Sequence, residues 1–168
     1  MASAFASAAM AEPMMEAGRT SKLDVLVRGA ITPNCRVSGG GEIDFGELTG
    51  GQEVRANFGL ACNLPFDITF KSQSGGLAHA SKPGGEGPFA GRLGYTLDVA
   101  IPTLSPAPAT LGAAFDSESL MAGQTLTSGD AIAEGGGRIH IRTRRPEGAG
   151  LLAGEYSETI SITVAPRA

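Results

Sequence analysis

Tryptophan is absent, and phenylalanine and tyrosine together make only 5% of the chain. There are two cysteines, two histidines and a charged fraction of just 18%. Cys35, Cys62, His79 and His140 stand at unrelated spacings, which does not fit a structural zinc site. The glycine runs Gly39–Gly41 and Gly135–Gly137 lack the Lys-Ser/Thr pair of a phosphate-binding loop, so they read as turns. Serines are plentiful, but none sits in a nucleophile-elbow motif. The carboxylates are dispersed, with no pair set up as general acid and base. These absences predict a protein that is not an enzyme and holds no metal or cofactor. No run approaches the ~18–20 apolar residues of a membrane span. The net charge of −4 and pI near 5.2 argue against nucleic acid as a partner.

What is present is a folding sequence. Hydrophobic residues make up 42% of 168 residues, a length that suits one domain plus a tail. The 25 glycines and 10 prolines are scattered between short apolar runs, the punctuation of strands joined by turns. The opening MASAFASAAMAEP is rich in Ala and Ser, and Ala9-Met10-Ala11 has the small-x-small form of a signal-peptidase site. A positive n-region is missing. Residues 1–21 therefore read either as a signal-peptide remnant or as a flexible leader. The cysteine pair reads as a disulfide in an exported protein, or as two buried thiols in a cytosolic one.

Two-residue periodicity is strongest over Lys22–Thr32, with Leu23, Val25, Val27, Gly29 and Ile31 on one face. Further strands are predicted over Glu42–Leu48, Glu53–Cys62, Phe66–Lys71, Arg92–Ile101, Gly137–Arg144 and Glu155–Val164. The last sets Ile160, Ile162 and Val164 against Thr159, Ser161 and Thr163. Ser72–Gly91 and Pro102–Pro108 read as loops, and Leu111–Leu126 fits either a helical turn or a strand. About seven short alternating strands predict an all-β sandwich.

Several stretches resemble one family: VLVRGAITPNC, IDFGEL, FGLACNLPFDIT, LGYTL and the closing GEYSETISITV. Together, over about residues 22–165, they are similar to the spore coat protein U domain family, which includes subunits of archaic chaperone–usher pili. The chain departs from the family pattern in lacking Trp, in carrying Asp98 where an aromatic is usual, and in closing on Ala165-Pro166-Arg167-Ala168.

The resemblance implies an immunoglobulin-like, pilin-type sandwich that lacks its last strand, formed here by residues 30–168. A donor strand over residues 22–29, with Leu23, Val25 and Val27 (and Ile31 beyond them) supplying side chains, would fill the groove of a neighbouring subunit. Ile160, Ile162 and Val164 would line the acceptor groove, and Cys35 and Cys62 would form the disulfide. The implied partners are neighbouring subunits, a periplasmic chaperone and an outer-membrane usher, with export to the periplasm and then the cell surface. Such a fibre would serve adhesion or biofilm formation. A rival expectation is a secreted tip adhesin or ligand-binding module using the Gly-rich loop and the Arg142–Arg145 end.

Overall fold

The computed structural model describes residues 23–167 and divides the chain into two units, 1–31 and 32–168. In the first unit the described residues carry no regular secondary structure, and Leu23, Val25, Leu26, Val27 and Ile31 are all exposed. The strand predicted over Lys22–Thr32 is therefore not formed (Lys22 itself lies outside the described residues). Its alternation is real, but a strand is held by ladder bonds to a neighbour, and none is paired with this segment.

The second unit is all-β and sandwich-like. Its larger sheet has the order β1-β2-β10-β6-β7, built from Cys35–Ser38 (β1), Glu53–Cys62 (β2), Gly137–Thr143 (β10), Tyr95–Thr103 (β6) and Ala109–Asp116 (β7). A short strand, Ala133–Glu134 (β9), also pairs with β2. A second sheet sets Ile160–Pro166 (β12) and Gln124–Thr127 (β8) on either side of Phe66–Ser72 (β3). A third joins Tyr156–Ser157 (β11), Leu77–His79 (β4) and Arg92–Leu93 (β5). Every ladder is antiparallel.

Alternation builds the core. Phe58, Leu60 and Cys62 of β2, Ile139 and Ile141 of β10, and Tyr95, Leu97, Val99 and Ile101 of β6 turn inward. They meet Phe66, Ile68 and Phe70 of β3, all fully buried. The rings of Phe58 and Phe70 join edge to face at 6.4 Å, tying one layer to the other. Fully burying each such side chain contributes about 1.5–3 kcal/mol.

Where the strands differ from expectation, the cause is local. The strand expected over Arg92–Ile101 breaks at Gly94 into β5 and β6, and β6 runs on to Thr103, into the stretch read as a Pro-rich loop. That over Glu155–Val164 breaks at Glu158–Thr159 into β11 and β12. The undecided Leu111–Leu126 falls within β7, a short 3-10 turn over Ser119–Ala122, and β8. The loop Ser72–Gly91 contains β4. The strand expected over Glu42–Leu48 is absent: Gly39, Gly40, Gly41, Gly46, Gly50 and Gly51 all take positive φ, which bends the backbone out of any ladder.

A disulfide joins Cys35 to Cys62. The two are direct cross-strand partners in the β1–β2 ladder, with Cα atoms 4.0 Å apart. Asn63 N–H donates to Asn34 O next to them, so the cysteines fall at the non-hydrogen-bonded position, where antiparallel strands approach most closely. Among the described residues no helix is long and apolar enough to cross a membrane.

A candidate acceptor cleft beside an unpaired strand

Among the described residues β12 pairs with β3 on one side only. Gln73 N–H donates to Thr159 O and Arg167 N–H to Pro65 O, which fixes the phase of that ladder. Antiparallel strands use alternate residues for each neighbour. Ser161, Thr163 and Ala165 therefore bond to β3, and the N–H and C=O groups of Ile160, Ile162 and Val164 point to the free edge. The side chains of the same three residues are half-buried against the core. β1 is likewise an edge of its sheet, and it runs close to β12 with no ladder between them.

Beside this edge lies a cleft of about 550 Å³. Ile160 and Ile162 line it, facing Ala56 and Phe58 of β2 and Ile139 and Ile141 of β10. Tyr95, Leu77 and Tyr156 also line it, as do Val37 and the stretch 39–43 with Phe45. Its lining is mainly aliphatic and aromatic. Val164 packs against the core but lies beyond the lining. Of the residues expected to form the groove, two thus meet in the cleft and the third continues their row along β12.

A carboxylate, Glu158, also lines the cleft. Glu158 accepts from Gln73 N–H (3.1 Å), Ser74 N–H (3.2 Å), Gly76 N–H (2.9 Å), Thr159 N–H (2.7 Å) and the Ser72 hydroxyl (2.7 Å). Five donors on one carboxylate bind the β3–β4 turn to the β11–β12 break, which is why the predicted continuous strand divides there. Tyr95 is 1% exposed and its hydroxyl has no hydrogen-bond partner. Ser72 stands beside it, already donating to Glu158 and accepting from Gly75 N–H. Burial pushes the Tyr95 phenol up to about 12, with the Glu158 charge adding to it.

Sequence reasoning placed Tyr95 within the strand expected over Arg92–Ile101 but did not single it out, and it missed Phe45, Ile139 and Ile141 as cleft residues. Their inward alternation was the available signal.

Both histidines have partners within the fold. His79 is buried, stacked edge to face on Tyr156 at 5.2 Å. Its Nδ1 accepts from Ser81 N–H (3.2 Å) and Lys82 N–H (3.1 Å), leaving Nε2–H to donate to Ala153 O (3.1 Å). His140 sits on the outer sheet face, 3.0 Å from Glu53. At the basic turn, Arg142 pairs with Asp98 at 2.8 Å and Arg144 with Asp116. Among the described residues no His/Cys/Asp/Glu group is placed to hold a metal ion.

No family model, no curated protein and no solved structure matches this chain.

Proposed function

We propose that this chain is a structural subunit of a chaperone–usher type surface fibre, assembled by donor-strand complementation. The observation that carries the reading is β12: an unpaired strand edge whose apolar row, Ile160 and Ile162, lines an open cleft. A free edge over exposed apolar surface is an aggregation hazard unless something covers it. The alternating segment Leu23–Ile31 has the chemistry to do so, and its apolar side chains are exposed.

In this reading Leu23, Val25 and Val27 of one subunit enter the cleft of the next. Burying them contributes about 5–9 kcal/mol at roughly 1.5–3 kcal/mol each, and each ladder bond adds about 0.5–1.5 kcal/mol. The contact is β-augmentation between head and tail, which does not close on itself and so gives a filament. A periplasmic chaperone would cover the edge before a neighbour does, and an outer-membrane usher would order the exchange. The Cys35–Cys62 disulfide suits that oxidising route. The similarity of GEYSETISITV and the cysteine-flanking strands to the spore coat protein U domain family supports the same reading, including its immunoglobulin-like, pilin-type topology.

Deleting residues 1–29 is expected to leave a folded monomer that cannot polymerise, checked by electron microscopy and sedimentation. Fibres formed by the truncated protein would overturn the reading.

A further inference from the structure

One wall of the cleft is made by a segment that is weakly held. Gly39, Gly40, Gly41, Glu42, Ile43 and Phe45 all line it. The last rung of β1 is Ser38 opposite Gly59, and the next backbone anchor is Gly51, whose N–H donates to Thr143 O and Arg144 O. Between these points, among the described residues, the strap 39–49 makes no backbone–backbone hydrogen bond. Its contacts are few. The Phe45 ring packs against the core, and the Gln52 side-chain amide donates to Phe45 O (3.0 Å) and Glu47 O (2.8 Å) and accepts from Thr49 N–H (3.0 Å). Gly40, Gly41 and Gly46, all at positive φ, have open space where a Cβ would stand, and the turn at Gly46 is held locally, its N–H donating to Asp44 Oδ1 (2.7 Å).

We propose that strap 39–49 is a displaceable cover of the cleft, latched by the Gln52 amide and seated by Phe45. An inserted segment takes over the apolar surface that Phe45 occupies. The inference rests on the donor-strand reading and adds its regulation: the cleft accepts a partner only in the fraction of molecules whose strap has opened. A ligand that needs a minor state binds with an affinity reduced by that fraction.

The test uses a fluorescent synthetic peptide of residues 22–31 and the full-length chain, diluted until it is monomeric. Association is followed by stopped-flow anisotropy for wild type, Gln52→Ala and Phe45→Ala. Gln52→Ala removes the latch and keeps the Gln52 backbone N–H on Thr143 Oγ1. Each variant is expected to bind peptide at least about threefold faster, Gln52→Ala by losing its hydrogen bonds to the strap and Phe45→Ala by losing the seated ring, with a cooperative melt retained. Unchanged or slower association in a folded variant would overturn the proposal, making the strap part of the wall. If Phe45→Ala melts without cooperativity, Gln52→Ala decides alone. Peptide that binds wild type and both variants alike strikes only the strap. Peptide that binds the variants but not wild type supports it. Peptide that binds none of the three strikes the donor-strand reading itself.

Discussion

Tyr95 shows how one side chain records the character of this core. Its ring is buried, yet its hydroxyl has no hydrogen-bond partner, although the Ser72 hydroxyl, which donates to Glu158 and accepts from Gly75 N–H, stands beside it. Leaving a buried hydroxyl unsatisfied costs about 1–3 kcal/mol. Tyr95→Phe is therefore expected to raise the urea midpoint at neutral pH. The phenol also titrates. With its folded value raised from 10.0 to about 12, the folded state holds the proton more tightly than the unfolded chain. Its stabilisation is fully present below pH 10 and is lost as pH rises through 12, a loss of about 2–3 kcal/mol for a shift of this size. Urea titrations at pH 9 and pH 11.5 are expected to show wild type losing more stability than Tyr95→Phe. Parallel losses would contradict this. The Cys35–Cys62 bond is a second point of leverage, since closing a 27-residue separation stabilises by roughly 3–4 kcal/mol in the chain-entropy picture. Cys35→Ser with Cys62→Ser is expected to lower the unfolding free energy by about that amount.

Among the elements, sequence reading succeeded where burial imposes alternation. β2 spans Glu53–Cys62 as predicted, and β3 and β10 differ by one residue at an end, because Phe66/Ile68/Phe70 and Ile139/Ile141 each need the same face inward. It failed where tertiary contacts decide. No local pattern reveals that Glu158 gathers five donors and splits the final strand. β1 and β9 are too short to show a period. The segments Lys22–Thr32 and Glu42–Leu48 have strand chemistry without a strand partner among the described residues, so their pattern was visible and its outcome was not. The cleft was legible only in part. The shared face of Ile160 and Ile162 followed from the periodicity of the last strand and their place in a groove from the family resemblance, whereas the facing residues of β2 and β10 depend on how the sheets stack. Replacing Ile162 by Asp places a charge in the half-buried row of β12, and is expected to abolish binding of the 22–31 peptide, read by anisotropy, while circular dichroism retains the β signature.

At the scale of the whole molecule, one compact all-β unit carries an open edge and cleft, and a separate segment carries exposed, alternating apolar residues. A filament follows if the second of one copy completes the first of another. The most direct measurement is amide hydrogen exchange at Ile160, Ile162 and Val164, whose N–H groups face the free edge of β12. In the monomer these three are expected to exchange fast, while Ser161 and Thr163, bonded to β3, exchange slowly. On assembly, or on saturation with the 22–31 peptide, all five are expected to become protected. Protection of Ile160, Ile162 and Val164 already present in the isolated monomer would mean that the edge is paired within its own chain, and that no neighbour is needed to complete it.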